Sequence, residues 1–265
     1  PPAARWPNST AGRHRPRSTP RRPAAGIAAR RRKGRPSTRN SRTGREPLAP
    51  AACAFRYEGL QPDVACLQEP LGVAIDMVRL AEITPQSNVL LIGPGPIGLM
   101  ALQLARHAGA RRVFVSGRTR NRPARVALAK RFGADAFIDV DETPLEAYDF
   151  NCEIDRVLVT APPRTLAIAV KVAAKGGIIS YIGIEHGDGA TCSFDANDFH
   201  FKKLQLRASH AIPNHYFPIA LDPLARRVID PDVIISHVLP LDDYAQAIDL
   251  LRDPAQPVSK VVLTP

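Results

Sequence analysis

The sequence predicts an α/β fold built on a doubly wound parallel sheet and preceded by a disordered basic arm. Three observations carry this prediction: apolar runs of strand length alternate with helical patterns, a glycine-rich turn joins the first run to a helix, and the basic residues concentrate at one end. Such alternation is typical of parallel sheets covered by helices. We divide the chain into residues 1–50, 51–85, 86–211, which we call the core segment, and 212–265.

The composition excludes several classes of protein. Hydrophobic residues make up 45% of the 265 residues, which is enough for a sizeable core. The longest apolar runs fall short of eighteen residues, so no membrane-spanning helix is expected. The cysteines are too widely spaced for a C-x-x-C pair, which argues against a zinc ribbon or a disulfide scaffold and fits a reducing cytoplasm. They are Cys53, Cys66, Cys152 and Cys192.

The positive charge of the chain belongs to residues 1–50. This segment holds thirteen arginines and Lys33 against Glu46, a net charge of +13, whereas the remaining 215 residues carry a net charge of −2. It also holds nine prolines and little aliphatic sequence, so we expect disorder.

Three interpretations of this segment stay open. It is an arm that binds nucleic acid, a mitochondrial transit peptide, or a by-product of where the chain begins, since no methionine precedes Met77. The prolines argue against the amphipathic helix of a transit peptide. The absence of a helix-turn-helix, a zinc finger or interleaved aromatic residues argues against nucleic acid. We therefore favour the third interpretation.

A dinucleotide-binding pattern lies at the start of the core segment. The apolar run Asn88–Ile92 ends in Gly-Pro-Gly-Pro-Ile-Gly, which fits G-x-G-x-x-G, and an amphipathic helix follows at once. In such a turn the first glycine permits the tight bend, the second lets the backbone approach a pyrophosphate, and the third lets the helix pack against the strand. The helix N-terminus attracts the phosphates. The predicted cofactor residues are Gly93, Gly95, Pro96, Ile97 and Gly98.

The alternation continues to the end of the core segment. Strands are predicted over 113–116, 136–138, 156–160, 178–182 and 204–208, with helices over 123–132 and 164–174. Strand, turn, helix and strand within about thirty residues make the unit a Rossmann fold.

The end of the second predicted strand favours NADP(H) over NAD(H). Units that bind NAD usually place an acidic residue there, to bind the 2′-hydroxyl of the ribose. Here Ser116-Gly117-Arg118 stands at that position, and no Asp or Glu occurs between Ile83 and Ala134. Arg120 and Arg122 follow. Hydroxyl and guanidinium donors suit a 2′-phosphate, although a solvated basic loop that leaves NAD as cofactor stays an alternative.

Several separated stretches resemble the medium-chain zinc-dependent alcohol and polyol dehydrogenases. They are Glu69-Pro70-Leu71, the turn over 93–98, Phe132-Gly133-Ala134-Asp135, Lys175-Gly176-Gly177 with Tyr181 to Ile184, Ile235 to Leu241, and Ser259 to Leu263. Each is weak alone, but they occur in the order of the family from about Glu69 to Pro265.

The resemblance implies a site around the nicotinamide. Thr160 and Ala161 would lie against the ribose and nicotinamide, and the backbone of Ile182, Gly183 and Ile184 would meet the carboxamide. Ser209 would end the last strand of the sheet, and Lys260 would lie near the cofactor phosphates or be an ordinary surface lysine. Pairing into a homodimer through the cofactor domain is also implied.

Glu69 resembles a zinc ligand of the polyol-dehydrogenase branch. A catalytic zinc takes three protein ligands and a water, and it eases proton loss from an alcohol. The alternative is a glutamate that favours the first turn of a helix through the helix dipole. Only 68 residues precede Glu69, and they lack the Cys and His pattern of the family's catalytic domain. We therefore expect an incomplete catalytic domain, zinc only with the missing half, and a final strand over 261–263 without its partner sheet.

The resemblance implies an NAD(P)-dependent oxidoreductase that transfers hydride between a secondary alcohol or polyol and nicotinamide. On its own, the chain is expected to bind dinucleotide and to turn over poorly. A zinc-independent reductase is the second hypothesis, and it would need a proton donor. A nucleic-acid-binding protein that uses residues 1–50 is the third.

Overall fold

The computed structural model describes residues 54–119 and 123–265. The predicted arm over residues 1–50, together with Cys53, Arg120 and Arg122, lies outside the described residues. In the part of the chain that the structure describes, no helix combines the length and the apolar character needed to cross a bilayer.

Six strands form one parallel sheet in the order β3-β2-β1-β4-β5-β6. The strands are β1 Asn88–Ile92, β2 Arg112–Gly117, β3 Ala136–Asp139, β4 Ile154–Val159, β5 Ala173–Tyr181 and β6 Gln205–Ala208. From β1 the chain adds β2 and then β3 on one side. It then crosses back to β4, next to β1, and adds β5 and β6 on the other side. This order confirms the predicted doubly wound α/β fold and creates a crevice between β1 and β4 at their carboxyl ends.

Helices cover both faces of the sheet. They are α1 Pro62–Ala65, α2 Gln68–Leu80, α3 Pro96–His107, α4 Pro123–Arg131, α5 Leu166–Val172, α6 Ala196–Phe201, α7 Pro213–Ala225, α8 Pro231–Ile234 and α9 Tyr244–Arg252. Single turns of 3-10 helix occur at Leu145–Ala147, Pro163–Thr165, Gly187–Ala190 and Leu241–Asp243.

The apolar run of β1 is continuous because both faces of the strand are covered. Val89 and Leu91 pack in the cluster formed with α2, α3 and α7, whereas Leu90 and Ile92 pack in the cluster on the other face. Successive side chains of a strand point to opposite faces, so a strand covered on both sides needs apolar residues throughout. All four side chains are almost fully buried.

The C-terminal segment forms a second, two-stranded parallel sheet. Strand β7 Ile235–Pro240 pairs with β8 Lys260–Thr264, and Val262 is 7% exposed. The last strand therefore has a pairing strand within its own segment, while the larger sheet that the resemblance implies for it is not among the described strands. The strand pairs with β7 because α9 carries the chain back between them, a parallel crossover in which the partner precedes β8 by about twenty residues.

The boundary between α5 and β5 also differs from the prediction. The helix ends at Val172 and the strand begins at Ala173, whereas the predicted helix ends at 174 and the predicted strand begins at 178, so the strand also includes Gly176 and Gly177. Gly176 has a φ of +79°, and the pairing of β5 with β4 shifts register near this point. The two glycines therefore form an irregularity inside the strand.

Candidate functional site

A cleft of about 680 Å³ opens where β1, β2 and β4 end. The residues that line it come from the glycine turn, from the ends of β2 and β4, and from the segments that follow β3 and β4. This is the crevice that the strand order predicts for a ligand of an open α/β sheet. Six residues of the predicted site line it: Gly93, Gly95, Ser116, Arg118, Thr160 and Ala161. Pro96 begins α3 directly after Gly95, with Ile97 and Gly98 in the same first turn.

Two glycines of the turn are required by close packing. Gly93 has a φ of +109°, and a Cβ atom there would lie 2.7 Å from Thr160 Oγ1. A Cβ atom on Gly98 would lie 2.2 Å from the carbonyl oxygen of Gly93. Neither position can take a larger residue without moving the turn, because backbone atoms as well as side chains occupy the space.

Thr160 fastens the turn to the end of β4. Its Oγ1 donates a hydrogen bond of 2.7 Å to the carbonyl oxygen of Gly93, and its backbone N–H donates to the carbonyl oxygen of Ile92 at 2.9 Å. The neighbouring N–H of Ala161 donates to the same Ile92 oxygen at 3.2 Å. The carbonyl groups of Ile92 and Gly93 are therefore hydrogen-bonded to the residues that follow β4.

Gly95 faces open space. A Cβ atom built at this position meets nothing within 4 Å, and Gly95 is the N-cap of α3 without a side-chain cap. The N–H of Leu99 donates to the carbonyl oxygen of Gly95 at 2.8 Å, which closes the first turn of the helix. The N–H groups of Ile97 and Gly98 precede it, in the turn of a helix where backbone donors attract anions.

Gly117 is a further constrained glycine, one that the glycine motif alone did not reveal. A Cβ atom there would lie 2.7 Å from Cδ and 2.8 Å from Cγ of Pro94. The ring of Pro94 therefore rests on the end of β2. This contact could not be predicted from the sequence, because Pro94 and Gly117 are distant in the chain and become neighbours only when β1 and β2 pair.

Ser116 and Arg118 differ in their access to the cleft. Ser116 is 1% exposed, and its hydroxyl donates to the carbonyl oxygen of Leu91 at 3.4 Å. Arg118 has a side chain that is 49% exposed, and its Nε lies 3.2 Å from Asp141 Oδ1. Arg118 therefore presents its charge at the rim, while the hydroxyl of Ser116 is directed into the sheet.

Carboxylates reach this rim from β3, although the sequence around Arg118 has none. The Oδ2 atom of Asp139 accepts the N–H of Thr119 at 3.0 Å, and its Oδ1 accepts the N–H of Asp141 at 3.0 Å. The N–H of Val140 donates to the carbonyl oxygen of Gly117 at 3.0 Å. The loop after β3 is thus hydrogen-bonded to the loop after β2. The sequence did not predict this contact, because the two loops are about twenty residues apart in the chain.

Two more arginines line the cleft. Arg125 belongs to the first turn of α4, and Arg164 belongs to the 3-10 turn that follows β4. Glu146 lines the same cleft from the segment after β3. Among the described residues, the lining holds three guanidinium groups, counting Arg118, and one glutamate, an environment that favours an anionic ligand.

The residues after β5 pack against the end of β4. A Cβ atom on Gly183 would lie 2.1 Å from the carbonyl oxygen of Ala161, and the N–H of Ile182 donates to the carbonyl oxygen of Val159 at 3.0 Å. Ile184 then projects outward and is 81% exposed. The structure brings these three predicted residues beside the cleft without placing them among those that line it.

Ser209 is held by a buried carboxylate. Its Oγ donates to Asp76 Oδ2 at 2.6 Å, the N–H of His210 donates to the same oxygen at 3.0 Å, and the hydroxyl of Tyr216 donates to Asp76 Oδ1. Asp76 lies on α2 and is 8% exposed. Burial, followed by the hydrogen bond and charge of Asp76, raises the pKa of the Tyr216 phenol. The position of Ser209 after the last strand follows from the sequence, whereas its bond to Asp76 depends on a contact between residues far apart in the chain.

Glu69 and Lys260 lie away from the cleft. Glu69 is exposed in the first turn of α2, and Lys260 begins β8. Burial raises the pKa of the Cys66 thiol, an effect that the positive charge of Lys260 opposes. Within residues 54–119 and 123–265, no three His, Cys, Asp or Glu side chains come together as a metal would require. The described residues therefore do not fit a zinc site.

Residues 96–226 match the family model described as zinc-binding dehydrogenase. The L-threonine 3-dehydrogenase of Bacillus velezensis is 32% identical over 213 residues, which are 78% of this chain and 59% of the relative. That of Vibrio cholerae is 28% identical over 227 residues, which are 82% of this chain and 62% of the relative. The chain thus spans about three-fifths of the length of these relatives.

Two solved structures with the same fold contain a nicotinamide cofactor. A structure described as a short chain alcohol dehydrogenase from E. coli CFT073, complexed with NADH, has a TM-score of 0.71 and 25% identity, covering 78% of this chain and 61% of that one. A protein from Sinorhizobium meliloti 1021 described as a zinc-binding dehydrogenase, bound to NADP, has a TM-score of 0.69 and 29% identity, covering 78% and 60%.

Proposed function

Because the chain belongs to the medium-chain zinc-dependent alcohol dehydrogenase family, we propose that it binds a nicotinamide dinucleotide in the cleft at the Gly93–Gly98 turn. The observation that carries the proposal is the open space at Gly95. At Gly93 and Gly98, neighbouring atoms occupy the space that a Cβ would need, whereas Gly95 faces the cleft beside the N-terminus of α3. That arrangement suits a pyrophosphate.

NADP(H) is the proposed cofactor, with NAD(H) as the alternative. Arg118 stands at the rim where a 2′-phosphate would extend, and Arg125 and Arg164 add positive charge to the lining. Ser116 contributes less than the sequence suggested, since its hydroxyl bonds to a backbone carbonyl. Arg120 and Arg122 lie outside the described residues.

Gly95→Val tests the dinucleotide site without disturbing the fold. Gly95 has a φ of −70° and a ψ of 173°, which valine adopts readily, and its Cβ would enter open space. The variant should keep the thermal stability of the parent and lose binding of NADPH and NADH in a fluorescence titration. Gly95→Ala is the graded control and should bind with an intermediate affinity. Full binding by a folded Gly95→Val chain would contradict the proposal.

The proposed reaction is hydride transfer between a secondary alcohol or polyol and the nicotinamide. The nicotinamide supplies the hydride chemistry. The residues of this chain would orient it: Thr160 and Ala161 from one side, and the backbone over 182–184 from the other. The described residues supply no zinc-bound step, because Glu69 has no companion ligands among them.

Activity can be tested separately from binding. The full chain should bind dinucleotide and reduce it slowly or not at all in the presence of secondary alcohols and polyols, monitored at the absorbance of the reduced nicotinamide. Rapid turnover in the presence of a chelator would favour a zinc-independent reductase instead. A shift of labelled DNA that deletion of residues 1–50 abolishes would favour the nucleic-acid hypothesis.

The proposal extends to the organisation of the chain. We assign residues 86–211 to the dinucleotide domain, 51–85 to a linking segment and 212–265 to a segment returning toward a catalytic domain. A homodimer is supported by β6, an outer strand of the six-stranded sheet, flanked by Phe201 and Ile212, which are 73% and 63% exposed. The free thiols of Cys66, Cys152 and Cys192 support a reducing compartment such as the cytoplasm.

A further inference from the structure

We infer that Asp141 sets how strongly the cleft prefers a 2′-phosphorylated adenosine: its carboxylate offsets the charge of Arg118 and weakens binding of the 2′-phosphate. The inference rests on the proposed function, since it concerns the ligand of the same cleft. It adds a residue that acts against the phosphate to the arginines that attract it.

The contact between the two residues involves one side of the guanidinium. Arg118 Nε lies 3.2 Å from Asp141 Oδ1, and the two side chains are 49% and 29% exposed. Arg118 lines the cleft, and its guanidinium has two terminal nitrogens that would donate to a bound oxygen ligand. Such a ligand would then lie within a few ångströms of the Asp141 carboxylate, so attraction and repulsion act on it together.

Backbone hydrogen bonds keep the pair in place. Exposed ion pairs usually contribute little, because two long side chains must be ordered to form them. Here the carboxylate of Asp139 accepts the N–H of Thr119 and the N–H of Asp141, each at 3.0 Å. The carboxylate of Asp139 therefore holds the backbones of Thr119 and Asp141 near each other. This arrangement keeps the side chain of Asp141 close to that of Arg118.

The charge of the ligand decides the size of the effect. A phosphate monoester carries a charge of roughly −1.5 to −2 at pH 7, whereas the 2′-hydroxyl of an unphosphorylated ribose carries none. Removing the carboxylate charge should therefore tighten binding of the phosphorylated ligand and leave the other unchanged. Arg125, Arg164 and Glu146 are the same in the parent and in the variant, so their effects cancel in the comparison.

Two ligands that differ only in the 2′-phosphate test the inference: 2′-phospho-ADP-ribose and ADP-ribose, titrated into the full chain by calorimetry. Asp141→Asn should bind the first about twofold to fivefold more tightly than the parent does, as expected for a partly exposed charge pair. Its affinity for ADP-ribose should stay the same. Asp242→Asn removes the same charge from an exposed 3-10 turn outside the cleft lining and should change neither affinity.

Two further variants keep the result interpretable. Asp141→Ser removes the charge with a smaller side chain and should shift the affinity in the same direction, which covers the case in which the asparagine variant folds poorly. Arg118→Gln should weaken binding of the phosphorylated ligand. Unchanged or weaker binding of 2′-phospho-ADP-ribose by folded Asp141 variants would overturn the inference alone. Failure of the folded parent to bind either ligand would overturn the proposed function with it.

Discussion

Ser209 Oγ lies 2.6 Å from Asp76 Oδ2, although the two residues are 133 positions apart in the sequence. Asp76 belongs to α2, before the first strand of the sheet, and Ser209 follows the last. The same carboxylate accepts the backbone N–H of His210 and the hydroxyl of Tyr216 on α7. One buried carboxylate thus joins the segment before the sheet, the end of β6 and the helix that follows it.

Replacing Asp76 with alanine should destabilise the fold by about 2–4 kcal/mol. The change removes a buried carboxylate and leaves its three part-buried donors without their acceptor. Hydrogen bonds to charged groups are worth more than neutral ones. Urea denaturation followed by circular dichroism measures the free energy of unfolding. Asp242→Ala is the control on an exposed carboxylate and should change stability by less than about 0.5 kcal/mol. Equal stabilities for the two variants would contradict the importance of the network.

The phenol of Tyr216 should make the fold sensitive to alkaline pH. Its pKa is raised from the ordinary value of 10.0 by burial and then by Asp76. Because the unfolded chain ionises first, this contribution to stability is complete below pH 10.0 and is lost as the pH rises toward the folded-state pKa.

Tyr216→Phe cannot ionise, so it should lose less stability than the parent between neutral pH and pH values above 10.0. At neutral pH the variant should itself be less stable by about 1 kcal/mol, for want of the hydrogen bond to Asp76. Urea titrations at several pH values check both statements. Parallel stability curves for the two proteins above pH 10.0 would contradict the assigned pKa direction.

Gly98→Ala should be far more damaging than Gly95→Ala. The added Cβ at Gly98 would lie 2.2 Å from the carbonyl oxygen of Gly93, whereas at Gly95 it would meet nothing within 4 Å. A clash with backbone must be relieved by moving the helix or the turn, at a cost of roughly 3 kcal/mol. Thermal melts of the two variants measure the difference, and equal melting temperatures would show that the turn is loosely packed.

Thr160→Val should lower both the stability of the turn and the affinity for the proposed ligand. Valine keeps the shape of the side chain but removes the Oγ1 hydrogen bond of 2.7 Å to the carbonyl oxygen of Gly93. A loss of about 1 kcal/mol in stability and a weaker affinity for NADPH are expected. Thr160→Ser retains the hydroxyl and should recover most of the affinity, which separates the hydrogen bond from the packing of the methyl group.

The sequence predicted the elements that depend on local pattern. The strand Asn88–Ile92, the glycine turn and the helix after it follow from apolar runs and from the conformations that glycine permits, and the structure has all three. The pairing of β7 with β8 was missed because the partners are joined by a helix, and a parallel pairing leaves no turn motif in the sequence. The approach of Asp141 to Arg118 was missed for the same reason: the pairing of β2 with β3 creates it.

The contact between Pro94 and Gly117 restricts how the cofactor preference of this protein can be redesigned. An acidic residue introduced to recognise an unphosphorylated ribose would naturally be placed at the end of β2. At Gly117 its Cβ would displace the ring of Pro94, and with it the turn that we propose holds the pyrophosphate. At Ser116 the new carboxylate would enter a position that is 1% exposed. Engineering of the preference is therefore best directed at Arg118 and at the segment after β3, where side chains can change without altering the backbone.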